Sequence, residues 1–193
     1  MGCNGTRSNG PLSTARGHRY LLVVTDLFSR WIEAFPITNG EANTIAVLLE
    51  QQVFMRWGYP RAALTDCAPA FQSTMWAKWC TKWNVKHFTT PIYHPQANPT
   101  ERRNQEIKKG LRLALLNQDH RTWDQYISPI IFNLRRRLNR ITGQTPSYVL
   151  LGRTLPRPGE HESYDVHSQS RFEEVRKSQA RNAPVIRTES DKY

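Results

Sequence analysis

The sequence predicts an α/β fold in which helices pack on a β-sheet. Short apolar runs with strand character alternate with segments of helical periodicity, and over residues 19–89 the predicted order is β-β-α-β-α-β. The chain has 193 residues, of which 38% are hydrophobic, so it is long and apolar enough for one ordinary globular domain.

Four strands are predicted in the first half, each a short run of apolar and β-branched residues bounded by turn residues. They cover residues 20–25, 31–35, 61–65 and 85–89. The segment GEANTIAVLLEQQVFMRW, between the second and third strands, repeats its apolar residues at helical spacing until Gly58. This pattern predicts a helix of about four turns, and a Trp-rich helix is predicted over residues 71–83.

The second half is predicted to be helical. The three prolines of PIYHPQANP indicate a loop, after which Asn98 can cap a helix that has Pro99 at its first position. That helix runs to about residue 116, and an amphipathic helix over 123–138 and a short one in TPSYVLLG follow.

The composition changes after residue 155, where PRPG is followed by a polar and charged stretch. We therefore assign residues 1–155 to the folded domain and residues 156–193 to a linker and a peripheral charged tail. The chain shows no signal peptide and no apolar run of about 18 residues. Its three cysteines lack zinc-binding spacing. We expect an intracellular protein with reduced thiols.

The charge balance points to a polyanionic partner. The chain holds 27 Lys and Arg against 16 Asp and Glu, which gives a net charge of +11. A basic excess of this size favours nucleic acid or an acidic membrane surface. A soluble protein that is merely basic is the plainer alternative.

Two carboxylates lie at positions suited to chemistry. Asp66 follows a predicted strand in LTDCAPAF, and Glu101 lies in the first turn of the helix after Pro99. Each has a structural alternative, because Asp66 can begin a turn and Glu101 stands at the capping-box position relative to Asn98. Together, two such carboxylates can bind divalent metals, and a two-metal centre supports phosphodiester chemistry.

The helix that begins near Glu101 is strongly basic. Residues 101–140 carry +6 of the net charge, and side chains at +4, +7 and +11 from Glu101 share its helical stripe. Cations there would hold a phosphate backbone beside the metals, although a solvated charged face is the commoner role for such a run. The predicted DNA-binding residues are Arg102, Gln105, Lys108, Lys109 and Arg112.

Several segments in order resemble the catalytic core of retroviral or gypsy-type retrotransposon integrases. They are GPLSTARGHRYLLVVTDLFSRWIEAFP, LTDCAPAF, YHPQANPTERRNQEIK and TPSYVLLGR, which together span roughly residues 7–153. The resemblance implies a ribonuclease-H-like fold, a five-stranded mixed sheet flanked by helices. It also implies DNA integration by 3′-end processing and strand transfer, a homo-oligomer without membrane partners, and a nuclear location.

The resemblance also implies a triad of two Asp and one Glu that binds two Mg²⁺ or Mn²⁺ ions. Asp66 matches the second acid and Glu101 the third, while Gln105 and Lys108 fall where the family's helix contacts DNA. In this family the first acid lies three residues before the GPL motif, and Arg7 stands there.

An arginine at the first position opposes catalysis. Its guanidinium has no acceptor and cannot ligate a metal, and a positive charge about 4 Å from a divalent ion costs roughly 8 kcal/mol at an effective dielectric near 20. We therefore expect weakened or absent catalysis. The alternative is a non-catalytic DNA-binding or protein-interaction domain that a host has adopted.

Two further expectations concern this region. With a hairpin turn near residues 14–17, Arg7 would pair opposite Val24 or Thr25 and lie close to Asp26. Asp26, at the end of its strand, would then be structural or part of a rebuilt metal site. Cys67 and Ala68 replace the family's usual Asn-Gly, which predicts a lost hydrogen bond and a stiffer loop.

Overall fold

The computed structural model describes residues 2–6, 16–90, 99–160 and 176–178, and only the backbone of 2–6 and 99–101. The chain forms two compact units, divided between Arg135 and Arg136. The predicted boundary at residue 155 stays a prediction.

The predicted α/β class is confirmed, and the described strands form one mixed five-stranded sheet of order β3-β2-β1-β4-β5. Strand β2 runs antiparallel to both β1 and β3, whereas β4 runs parallel to both β1 and β5. The strands are β1 Gly2–Thr6, β2 Tyr20–Thr25, β3 Ile32–Ile37, β4 Ala62–Thr65 and β5 Lys86–Thr89.

Strand β1 carries no local strand signal, because GCNGT contains two glycines and no alternation of apolar residues. It is a strand because β2 and β4 pair with it from both sides. The expected register is wrong: Val24 pairs with Cys3 and Thr25 with Gly2, not with Arg7. A strand rich in glycine cannot specify register through its side chains.

The predicted helices are present in the described residues. The first begins at Ala42, passes through a π-helical stretch over Glu50–Phe54, and stops at Gly58, whose φ of +86° suits a residue without Cβ. The helices are α1 Ala42–Leu49, α2 Met55–Trp57, α3 Thr74–Trp83, α4 Pro99–Ala114, α5 Trp123–Arg136 and α6 Pro146–Leu151.

Helices cover both faces of the sheet, as predicted. On one face, α1 and α3 pack with Leu22, Val24 and Ala63 around the buried Trp76, whose ring meets Phe71 and Trp83 edge-on. On the other face, α4 and α5 pack on side chains of β2 and β3. Alternation along β2 explains this, since its successive side chains point into different layers. Among the described helices, none is both long and apolar enough to cross a bilayer.

Candidate active site and nucleic-acid face

Asp66 lies directly after the carboxyl end of β4, at the edge of the sheet where β4 and β5 end. Its Oδ1 accepts a hydrogen bond from the backbone N–H of Ala68 at 3.1 Å, which is the turn contact expected of an Asp at this place. Burial raises the pKa of Asp66, and the Ala68 N–H opposes this rise only in part. The turn role and a ligand role are therefore compatible.

The half-buried Asp66 carboxylate suits a metal ligand. Its charged form is destabilised by burial, and a divalent cation would offset that cost. Among the described side chains, no group of three or more His, Cys, Asp or Glu could hold a metal ion. Glu101 lies in the first turn of α4, but its side chain lies outside the described residues, as does Asn98. Its predicted pairing with Asp66 stays a prediction.

The strand beside Asp66 offers a second place for the family's first acid. Gly2 of β1 pairs in parallel with Leu64 of β4. Continuing both strands by two residues brings Asn4 level with Asp66. Arg7, which the motif spacing selects, lies outside the described residues. Neither position carries a carboxylate.

Side chains from β4 and β5 hold the backbone at Asp66. The Thr65 hydroxyl donates to the carbonyl of Asp66 at 3.1 Å and lies 2.8 Å from Nε2 of His87. Because the single hydroxyl proton is already donated to Asp66, the hydroxyl oxygen accepts from the N–H at Nε2 of His87. Burial lowers the pKa of His87, which favours its neutral form. Sequence reasoning missed this pair, since nothing local links residues 22 positions apart.

The departures at Cys67 and Ala68 have mild consequences. The Cys67 thiol donates to the carbonyl of Thr90 at 3.2 Å, so this side chain forms a weak hydrogen bond of its own. Ala68 has a φ of −62°, a conformation open to any residue, so this backbone does not require glycine. Whether the loop is stiffer stays a prediction.

Helix α4 presents a polar and basic outer surface. Ile107 and Leu111 are buried against the sheet, which turns the predicted DNA-binding stripe outward. Lys108 is half-buried, and the other predicted DNA-binding residues, Arg102, Gln105, Lys109 and Arg112, are exposed. This surface can contact a phosphate backbone.

Asp26 has a structural role in the turn after β2. Its Oδ2 accepts from the backbone N–H of Ser29 at 2.9 Å and from the Ser29 hydroxyl. Its backbone N–H donates to the carbonyl of Trp31, which closes the turn between β2 and β3. The suggested contact with Arg7 lies outside the described residues.

Comparison with known proteins relates this chain to integrases. Residues 8–95 match the family model described as Integrase core domain, a match that includes Asp66 and ends before Glu101. The chain is 32% identical over 141 residues to the Gag-Pol polyprotein of baboon endogenous virus (strain M7), covering 72% of this chain and 8% of that one. It is 31% identical over 147 residues to the Pol polyprotein of radiation murine leukemia virus (strain Kaplan), covering 76% of this chain and 25% of that one. The chain thus spans a quarter or less of these relatives.

Solved structures show the same fold. The catalytic core domain of BIV integrase matches with a TM-score of 0.58 at 19% identity, covering 78% of this chain and 93% of that one. A chain of the simian T-cell lymphotropic virus intasome, solved in complex with PP2A regulatory subunit B56 gamma, matches with a TM-score of 0.63 at 20% identity, covering 86% and 58%. The fold is therefore that of retroviral integrase catalytic cores. Residues 8–95 of the chain belong to the integrase core domain family.

Proposed function

We propose that this chain is a DNA-binding integrase core of retrotransposon origin, whose family activity is DNA integration by 3′-end processing and strand transfer. The observation that carries the proposal is the half-buried Asp66 carboxylate at the end of β4, on a chain whose helix α4 exposes a basic surface. A divalent metal ion complements the negative charge of Asp66, and a phosphate backbone complements the positive charge of α4.

In this proposal, Asp66 and Glu101 would hold Mg²⁺ or Mn²⁺. The metal, when bound, would activate the attacking oxygen and stabilise the leaving one. Thr65 and His87 fix the backbone at Asp66, so that its carboxylate needs little reorganisation. Lys108, with the exposed cations of α4, would hold the DNA backbone.

Catalysis in this chain is proposed to be impaired. The motif spacing assigns the first acid to Arg7, and the strand register assigns it to Asn4; both side chains lack the negative charge that a metal ligand of this site needs. The alternative function is a non-catalytic DNA-binding or protein-interaction domain adopted by a host. A homo-oligomeric state and a nuclear location belong to the same proposal.

Strand transfer tests the proposal. With Mn²⁺ and labelled duplex DNA, the unmodified chain is expected to give no more joined product than its Glu101→Gln variant, because the metal site lacks one acid. Product formation is measured on a denaturing gel, with DNA binding recorded in parallel. Activity that the unmodified chain shows and Glu101→Gln loses would contradict the impairment, whereas absence of DNA binding would contradict the whole proposal.

Lys108→Ala is expected to weaken DNA binding and to lower the salt slope of log K by about one unit, because one phosphate contact is lost. Fluorescence anisotropy at several salt concentrations gives this slope. Lys78→Ala, which removes an exposed lysine from α3, is the matched control and is expected to leave the slope unchanged. An equal change of the salt slope in both variants would contradict the proposal that α4 contacts DNA.

A further inference from the structure

We propose that Phe88 of β5 stacks on an unpaired base of the DNA strand that lies at the Asp66 edge of the sheet. The inference rests on the proposed function and adds to it a contact with a single-stranded segment. It follows from three features of the described residues: the exposure of Phe88 on the sheet, its distance from Asp66, and the positive charge beside it.

Phe88 lies on an exposed part of its face of the sheet. On the opposite face, Ala63 and Val85 are buried under α1 and α3. On this face, α4 packs on β1 and β2, Leu64 is half-buried, and Phe88 is 54% exposed. An aromatic ring exposed to this extent on a strand is a stacking platform of the kind that single-stranded nucleic acids use.

Phe88 lies close to Asp66 on the same face. Phe88 pairs with Leu64 in the parallel β4–β5 ladder, and paired residues project to the same side. Asp66 follows Leu64 by two positions, so alternation returns it to that side. One strand spacing and two residues of rise separate Phe88 from Asp66 by about 8 Å between Cα atoms.

The positive charge near Phe88 favours a nucleic-acid strand. Lys86 precedes Phe88 by two residues, is exposed, and shares its face of β5. A cation beside an exposed aromatic ring is complementary to a base attached to a phosphate backbone.

Two DNA probes test the inference by anisotropy: a blunt duplex, and the same duplex with a short single-stranded 3′ extension. Phe88→Leu keeps an apolar side chain and removes the π-face, so it is expected to weaken binding of the extended duplex about tenfold. It is expected to leave binding of the blunt duplex unchanged. Phe88→Tyr keeps an aromatic ring and is expected to bind the extended duplex like the unmodified chain.

Phe28→Leu is the matched control, since Phe28 is 44% exposed and lies in the turn between β2 and β3. It is expected to change neither affinity. Equal losses on both probes, or no loss with Phe88→Leu, would overturn the inference, and an unchanged Lys108→Ala effect would then leave the proposed function standing. Photo-crosslinking from 5-iodouracil in the extension to the unmodified chain provides a test that needs no substitution, and mass spectrometry that places the adduct away from Phe88 would also overturn it.

Discussion

Replacing Asn4 by Asp is expected to tighten Mn²⁺ binding at least about tenfold. The register places position 4 level with Asp66, so the variant adds a second carboxylate to that edge. A carboxylate about 4 Å from a divalent ion gains roughly 8 kcal/mol at an effective dielectric near 20, before desolvation. A tenfold change in affinity corresponds to roughly 1.4 kcal/mol, which is only a small part of this electrostatic gain. Titration calorimetry with Mn²⁺ measures the change.

Three companion variants make this result specific. Asn117→Asp is the same substitution at an exposed position beyond the carboxyl end of α4, and it is expected to leave Mn²⁺ affinity unchanged. Adding Asp66→Asn to the Asn4→Asp chain is expected to remove the gain. Arg7→Asp tests the motif spacing, and a gain confined to that variant would show that the register of β1 does not define the metal site.

Replacing Glu33 by Ala is expected to lower the free energy of unfolding by about 3 kcal/mol. Glu33 accepts from Nη2 of Arg135 at 2.6 Å and from the indole N–H groups of Trp31 and Trp57 at 3.0 and 3.2 Å. Its loss leaves three donors unpaired in a mostly buried setting. Burial lowers the pKa of Arg135, and Glu33 offsets this effect, so the cation depends on its partner. Chemical denaturation measures the loss.

A double-mutant cycle separates the ion pair from the rest of the network. Arg135→Met removes the cation that lies 4.1 Å from the ring centre of Trp31 and donates to the carbonyl of Ile32. In the Arg135→Met background, Glu33→Ala is expected to cost clearly less than in the unmodified chain. Glu160→Ala breaks a more exposed pair and is expected to cost about 1 kcal/mol or less. Equal costs for Glu33→Ala in both backgrounds would contradict a coupling to Arg135.

Much of the fold could be predicted because its signals are local. Strand β2 was predicted with the bounds that the structure shows, since one apolar run fixes both its state and its limits. Helix α4 begins at Pro99 as predicted, and Gly58 ends the helical segment before β4. The π-helical stretch was not predicted, because the apolar residues of this segment are spaced closely enough to an α-helical period to indicate an ordinary α-helix.

The candidate site, too, could be predicted from the sequence only in part. Asp66 and the exposed residues of α4 could be chosen from their positions after a strand and along a helical stripe. Thr65 with His87, and Phe88 with Leu64, could not, because the pairing of β4 with β5 joins segments that are far apart in sequence. Asn4 was missed since a strand with two glycines has no pattern that sets its register.

The sequence by itself determined the α/β class, the positions of the helices and of β2–β5, the basic character of α4, and the family, because periodicity, charge and motif spacing are properties of short segments. Only the tertiary structure decided which residue of β1 stands level with Asp66 and on which face of the sheet the exposed Phe88 lies. Those depend on strand pairing and on where α4 packs, which are fixed by contacts between distant segments.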